Sequence, residues 1–179
     1  MIVGTPDQKR FYTANIGSDT VTAFEFQNVP PAASKVTHIA VGKQPEAIDV
    51  SPDGKEVWAG LNAEGAIDVI DTATNKVVDR IKLGERPYRV KFTPDGKIAA
   101  ATIPNTKEIV LIDVATRKET KRLKLESSPL GIVFSKDGAT AFVSVVQPDL
   151  VLKLQLASGE IKGKLASGAI PDGIAVFGL

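Results

Sequence analysis

A proline recurs at positions 45, 87, 129 and 171, each 42 residues after the last. Each introduces a short apolar run: Ala47-Ile48-Asp49-Val50, Val90-Lys91-Phe92, Ile132-Val133-Phe134 and Ile174-Ala175-Val176. Six residues past the first three prolines stands a turn sequence: Ser51-Pro52-Asp53-Gly54, Thr93-Pro94-Asp95-Gly96 and Ser135-Lys136-Asp137-Gly138. A degenerate copy, Thr5-Pro6-Asp7-Gln8, opens the chain 46 residues before Ser51. Proline presets φ at the first central turn position and glycine suits the last, so these motifs separate short strands.

Residues 46–83 give the clearest unit. Ala47–Val50, 56–60, 66–70 and 77–83 alternate apolar and polar residues with a period of two, as strands do. The polar stretches between them, such as Asn62-Ala63-Glu64-Gly65 and Asp71-Thr72-Ala73-Thr74-Asn75-Lys76, are turns. The pattern predicts further strands at 97–101, 108–112 and 119–125, at 140–145, 150–156 and 160–165, and at 10–14 and 20–26. The four extra residues of the first unit fall within 27–34. Four strands in about 42 residues, repeated, predict β-propeller blades. The expected fold is all-β, with four-stranded antiparallel blades, about four per chain. The whole of 1–179 reads as one repeat domain, with repeats near 1–44, 45–86, 87–128 and 129–170 and a closing strand at 171–179.

With those residues in view, the chain resembles the YVTN-repeat β-propeller family of prokaryotes. Phe11-Tyr12-Thr13-Ala14-Asn15, Ser51-Pro52-Asp53-Gly54-Lys55 and Ile70-Asp71-Thr72-Ala73-Thr74-Asn75-Lys76-Val77 carry the likeness, which covers essentially all of the sequence. Trp58-Ala59-Gly60-Leu61, Ala100-Ala101-Thr102-Ile103 and Phe142-Val143-Ser144-Val145 depart from the name-giving motif. The resemblance implies a propeller and an extracytoplasmic setting, periplasmic or in a surface layer. It also implies kinship with the propeller domains of some haem- and quinone-linked oxidoreductases. A shared fold of this kind does not assign a function.

The strand count is uneven. Ile2 stands in register with Ile48, Val90, Ile132 and Ile174, so five inner-strand copies serve four sets of three outer strands. Three arrangements follow. The chain closes alone, with 171–179 beside 10–14 and residues 1–4 displaced; two copies complete an eight-bladed ring; or the chain is the C-terminal part of a seven- or eight-bladed protein. Four blades splay at about 90° and eight at about 45°. The small residues Ala14, Ala59, Gly60, Ala99, Ala100, Ala101 and Ala141 suit the narrower wedge of a larger ring. A homodimer paired through its terminal strands is therefore expected.

Charge and composition exclude several functions. Lys and Arg number 22 against 21 Asp and Glu, without a basic arm, so no nucleic-acid partner is expected. The densest basic stretch, 117–124, falls on an outer strand, where charge discourages strand stacking between molecules. No cysteine is present, which removes disulfides and thiolate metal ligands. No apolar run approaches the roughly 20 residues of a membrane span. The opening residues lack the charged and apolar regions of a secretory signal.

Blade topology places the proline loops and the loops between second and third strands on one face. Its polar residues include Gln44, Glu46, Asn62, Glu64, Arg86, Tyr88, Arg89, Asn105, Lys107, Gln147, Asp149 and Asp172. Arg86-Pro87-Tyr88-Arg89 brings two guanidiniums and a phenol together, a set able to hold a carboxylate or phosphate. The competing reading makes Arg86 and Arg89 rim charges paired with Glu46 or Glu85. The candidate ligand-binding residues are Arg86, Tyr88, Arg89, Glu46, Asn62, Glu64 and Asp172; no catalytic residue, metal site or cofactor is expected.

His38, the single histidine, falls on an outermost strand as a surface residue. Asp7, Asp53, Asp95 and Asp137 recur at one turn position and Asp71 and Asp113 at another, which marks them as structural. Glu64 and Asp172 occur once each, but neither shows a partner in the sequence. Tyr12, Trp58, Phe92, Phe134 and Phe142 occupy repeat positions suited to packing. These features point to a non-enzymatic scaffold that binds a protein, peptide or glycan through the proline-loop face. The alternative is part of an oxidoreductase- or lactonase-like propeller enzyme whose active groups lie in other blades.

Overall fold

A computed structural model describes residues 1–25 and 35–175. Sixteen strands form four sheets of four antiparallel strands, with no helix among the described residues. The first sheet contains β1 (Ile2–Gly4), β2 (Arg10–Asn15), β3 (Thr20–Glu25) and β4 (Val36–Ala40). The second contains β5 (Pro45–Val50), β6 (Glu56–Leu61), β7 (Ala66–Asp71) and β8 (Lys76–Lys82). The third contains β9 (Arg89–Phe92), β10 (Ile98–Ile103), β11 (Glu108–Asp113) and β12 (Lys118–Lys124). The fourth contains β13 (Ser128–Phe134), β14 (Thr140–Val146), β15 (Leu150–Gln155) and β16 (Ile161–Ala166). Within every sheet the strands are neighbours in chain order, so each is a meander.

The expected outer strands are present, with ends shifted by one or two residues. Each third strand continues into its turn aspartate or the equivalent Glu25 or Gln155, because that residue still pairs across the ladder. The insertion expected within 27–34 lies outside the described residues.

Two compact units span Met1–Val90 and Lys91–Leu179. In the first, Tyr12, Ala23 and Ile39 of the first sheet share a buried cluster with Ile48, Val57, Ala59 and Ile70 of the second. Tyr12 also reaches across, its hydroxyl lying 3.5 Å from Asn75 Oδ1, and the Arg10 guanidinium donates to the Thr72 carbonyl. In the second unit, Ala100, Ile109, Leu111 and Leu123 of the third sheet join Ile132, Ala141, Val143 and Leu154 of the fourth. Lys121 ties the same two sheets together by donating to Ala157 O at 2.7 Å. The basic stretch on β12 is thus an exposed edge, and part of it clasps its neighbour.

The repeated turns work as their sequence implies. Ser51 Oγ donates to Asp53 Oδ1 at 2.7 Å and accepts the Glu56 N–H at 2.9 Å, so a hydroxyl and a carboxylate close the turn together. Thr93 with Asp95, Ser135 with Asp137 and Thr5 with Asp7 repeat the arrangement. Gly54, Gly96 and Gly138 have φ of 73°, 69° and 71°, the left-handed region where glycine carries no steric cost. Gln8 adopts φ 57° in the degenerate copy, so that turn keeps the shape and bears the strain.

The surplus inner strand is resolved in favour of the start of the chain. β1 pairs with β2 in register, Ile2 facing Thr13 and Gly4 facing Phe11. Residues 1–4 are not displaced. Each second strand already has its inner partner, so none of those four strands remains for 171–179. Accordingly Pro171–Ala175 form no strand, contrary to the expected closing strand, and residues 176–179 lie outside the described residues. The segment passes close to Gly131, with Asp172 O 3.4 Å from Ser144 Oγ.

The turn hydroxyls of Thr5, Ser51, Thr93 and Ser135 hold Asp7, Asp53, Asp95 and Asp137 below the ordinary carboxylate value, assisted by backbone N–H donors. Thr74 and Thr116 act likewise on Asp71 and Asp113. Groups whose acidity increases on folding add stability above their unfolded value, and lose it as pH falls through the folded one. The urea midpoint should therefore stay level in mild acid and drop once pH passes below about 4. Asp53→Asn should lower the neutral midpoint and flatten part of that drop; a midpoint insensitive to acid would contradict this role for the turns.

Candidate functional site

The loop before β5 is held by three carboxylates. Asp68 Oδ2 accepts the Gly42 N–H at 2.9 Å, Glu64 Oε1 accepts the Lys43 N–H at 2.6 Å, and Asp19 Oδ1 accepts the Gln44 N–H at 2.9 Å. Lys43 Nζ adds an ion pair to Asp19 at 2.7 Å, which raises the lysine's proton affinity and lowers that of the aspartate. Gly42 is buried in a notch. A Cβ there would come within 2.4 Å of Leu61 Cδ1 and 2.8 Å of Glu64 Oε1, so a larger residue would require the Leu61, Arg80 and Glu64 side chains to move.

Arg80 organises the carboxylates. Its Nε lies 2.6 Å from Asp68 Oδ1 and its Nη2 3.0 Å from Oδ2, a two-point pairing, while Nη1 meets Glu64. The Asp68 hydrogen bonds raise the guanidinium's proton affinity further. Asp68 is fully buried between Ile67 and Val69, at a strand position where other sheets carry Thr22, Val110 and Leu152. A buried carboxylate is sustained only when paired and hydrogen-bonded. Asp68 and Arg80 were absent from the sequence candidates. The legible signal was a carboxylate interrupting the apolar run Ile67–Val69, with a cation twelve residues on.

Pro45 leads into the exposed part of the site. Glu46 Oε2 accepts from Asn62 Nδ2 and from Arg86 Nη2, the latter at 3.1 Å. Arg86 thus has one of the two rim partners expected for it. The Asn62 Oδ1 is buried with no hydrogen-bond partner, an unusual state for an amide oxygen. Beyond Pro87, the Tyr88 ring lies 5.7 Å from the Arg86 guanidinium carbon and 4.2 Å from that of Arg89. Both distances are within cation–π range. Arg89 Nη1 also donates to Tyr88 O at 2.9 Å, which holds the cation over the ring.

Six of the seven sequence candidates therefore come together in the first unit. Glu46, Asn62, Arg86, Tyr88 and Arg89 form one connected array, while Glu64 belongs to the loop clamp through Arg80. Asp172 lies in the second unit, beside Ser144 and Gly131. The other polar positions of the second unit serve its loops: Gln147 O accepts from Ser127 Oγ at 3.2 Å, Asp149 O accepts the Ser167 N–H, and Lys107 donates to Glu126 O at 3.0 Å. His38 lies exposed on β4 with its Nδ1 2.9 Å from Thr22 Oγ1. Among the described residues, no three His, Cys, Asp or Glu side chains converge as a metal-binding group.

Four consecutive meanders with equivalent turns and cross-packed faces define a β-propeller repeat protein. The chain belongs to the YNCE-like β-propeller family, whose model matches residues 10–178. A solved chain of Kuenenia stuttgartiensis hydrazine synthase is similar at 26% identity and a TM-score of 0.81, over 92% of this chain and 47% of that one. A putative 6-phosphogluconolactonase from Bacteroides uniformis shares the fold at 13% identity and a TM-score of 0.74, over 90% of this chain and 52% of that one. This chain spans about half the length of each. No curated protein matches it at a significant level.

The clamp and the array should separate energetically. Asp68→Ala should lower unfolding stability by about 2 kcal/mol, since it strands Arg80 and the Gly42 N–H, with Arg80 recovering some hydration. Glu64→Ala, on the exposed side of the same clamp, should cost less than about 1 kcal/mol. Urea denaturation of the two variants checks this, and equal losses would contradict the assignment of Asp68 as the buried anchor.

Proposed function

We propose that this protein is a non-enzymatic propeller scaffold that binds a protein, peptide or glycan partner through its proline-loop face, and that a second copy completes its ring. The observation carrying the binding role is the Tyr88 ring flanked by the Arg86 and Arg89 guanidiniums. Planar cations held against an aromatic face suit a carboxylate, with the phenol adding apolar contact. Three carboxylates fix the neighbouring loop at its backbone, so little ordering is required when a ligand arrives. Glu46 balances one cation and sets a preference for ligands that bring their own hydrogen-bond donors as well as an anion.

Ring completion draws on length. Two copies of this chain are about as long as one chain of the two solved propellers it matches. The likeness to hydrazine synthase also favours a second reading, in which the chain is the C-terminal part or a subunit of an oxidoreductase- or lactonase-like propeller enzyme. Binding that requires no different polypeptide separates the first reading from the second.

Peptide and glycan arrays probed with the purified chain test the binding role. Carboxylate-bearing spots should retain it, and Arg86→Ala combined with Arg89→Ala should abolish that retention. Lys76→Ala, on the exposed edge strand β8, should leave it unchanged. An array with no retained spot, or spots indifferent to the double variant, would contradict the proposal.

A further inference from the structure

A structural position recurs in every repeat, whereas a binding site is needed once, so residues that break the repeat and lie together mark a candidate. Three such residues meet in the second unit, at the sheet ends that carry the turns after β13 and β15. Ile98 opens β10 where the other second strands open with Arg10, Glu56 and Thr140. Gln155 ends β15 where the other third strands end in Glu25, Asp71 and Asp113. Leu156 follows it, in the place of Thr72 and Val114. With Leu111, Ala139 and Lys121 they line an open depression of about 420 Å³ between the third and fourth sheets. Leu111 and Leu156 are buried, and Ile98 packs against the same apolar cluster. The volume is within the range of small-molecule sites.

The first unit shows what these departures change. There Arg10, at the position of Ile98, pairs with Glu25 at 3.5 Å and donates to the Thr72 carbonyl of the next sheet. The depression beside it is only about 200 Å³, and Asp7, Arg10 and Asp53 stand in its walls. An isoleucine cannot make that bridge, and in the second unit the cation comes from the fourth strand instead. Lys121 Nζ donates to Ala157 O at 2.7 Å and to Ser158 O at 3.3 Å. The two carbonyls orient its charge without neutralising it, and among the described residues it has no carboxylate partner. Gln155 Nε2 donates to Ala139 O at 3.2 Å, so a neutral amide stands where the other sheets place an acid. Asp113, opposite Ile98 in the ladder, is engaged by the Thr116 N–H at 2.8 Å and the Thr116 hydroxyl at 2.7 Å.

We propose that this depression binds a small alkyl carboxylate, its chain against Ile98, Leu111 and Leu156 and its head on Lys121 Nζ. The site is separate from the proline-loop face, and the inference goes beyond the role proposed there. Charge selects the occupant. The ammonium keeps a donor for a third partner, and an anionic acceptor makes the stronger hydrogen bond. A cationic ligand would meet Lys121 with no acid in the lining to offset it, and a neutral one would leave the charge unmatched. The apolar part of the lining is aliphatic, which suits an alkyl chain. The lysine stem lies along that apolar wall with its head at the rim, as amphipathic side chains do.

The test is a titration of the isotope-labelled full chain, followed by two-dimensional amide NMR, with octanoate, octylammonium and octanol as probes. Octanoate should bind saturably and move the signals of Gly138, Ala139, Leu156 and Ala157. Octylammonium should leave them in place, and octanol should bind more weakly than octanoate. Lys121→Ala should weaken octanoate by about fivefold, the scale of one exposed charge pair, and Lys121→Arg should retain it. Ile98→Arg, which installs the side chain that the first sheet has here, should fill the depression and abolish binding. Lys124→Ala, on the same strand but engaged with Glu108 and the Thr106 carbonyl, should change nothing. The spectra report the folding of each variant, and Lys121→Ala, at an exposed position, keeps the test independent of any disturbance of β10 by Ile98→Arg. Octylammonium moving the same signals as strongly, octanoate moving only signals elsewhere, or binding unchanged by Lys121→Ala would overturn the proposal.

Discussion

The structure depends on the burial of one sheet face against the next. Alternation along a strand sends successive side chains to opposite sides, and in these sheets both sides carry apolar residues. A meander with two apolar faces is not stable alone; it needs cover on each. Burying one leucine or isoleucine contributes roughly 1.5–3 kcal/mol, so a face with several such positions dominates the energetics of each repeat. Tyr12, Ala23 and Ile39 against Ile48, Val57 and Ile70 is one instance of that contact, and the third and fourth sheets supply another. The hydroxyl–carboxylate turns and the strand ladders position these faces, while the apolar contact holds them.

The loop chemistry is built on that frame. Asp68 of β7, Arg80 of β8 and Glu64 of the loop between β6 and β7 grip the backbone of the entering loop rather than one another alone. The Arg86, Tyr88 and Arg89 array stands on the next entering loop, joined to the first through Glu46. Rigid support beneath a cationic and aromatic surface, here with Arg86 exposed and Tyr88 and Arg89 half-buried, is what a recognition site requires, and loops on a fixed scaffold are where such sites usually occur.

Much of this was legible in the sequence, for identifiable reasons. The prolines, the Asp-Gly turns and the period-two runs each report backbone geometry directly, so the outer strands given a range in the sequence could be placed to within a residue or two. By contrast, β4 was not marked out, and β13 starts four residues before its apolar run. The Arg86–Glu46 pairing was legible because the two residues flank the prolines of successive repeats, Glu46 just after Pro45 and Arg86 just before Pro87. Three features were hidden. Asp68 lies within an apolar strand, and only the fold reveals that Arg80 and Gly42 N satisfy it. The 171–175 segment has an inner-strand sequence, but an inner strand forms only beside an available second strand, and β2, β6, β10 and β14 are already taken. Phe142 matches Trp58 in the repeat, yet its burial depends on whether another sheet covers it, which no local pattern encodes.

That last dependence is central: repeat positions are apolar because a neighbouring sheet covers them, as Ile39 and Leu123 are covered within their units. An experimental map of the assembled protein tests it most directly. The account expects Ile39 and Leu123 each to be enclosed between the sheets of its own unit, the first with the second and the third with the fourth. A map in which either side chain faces solvent would contradict it.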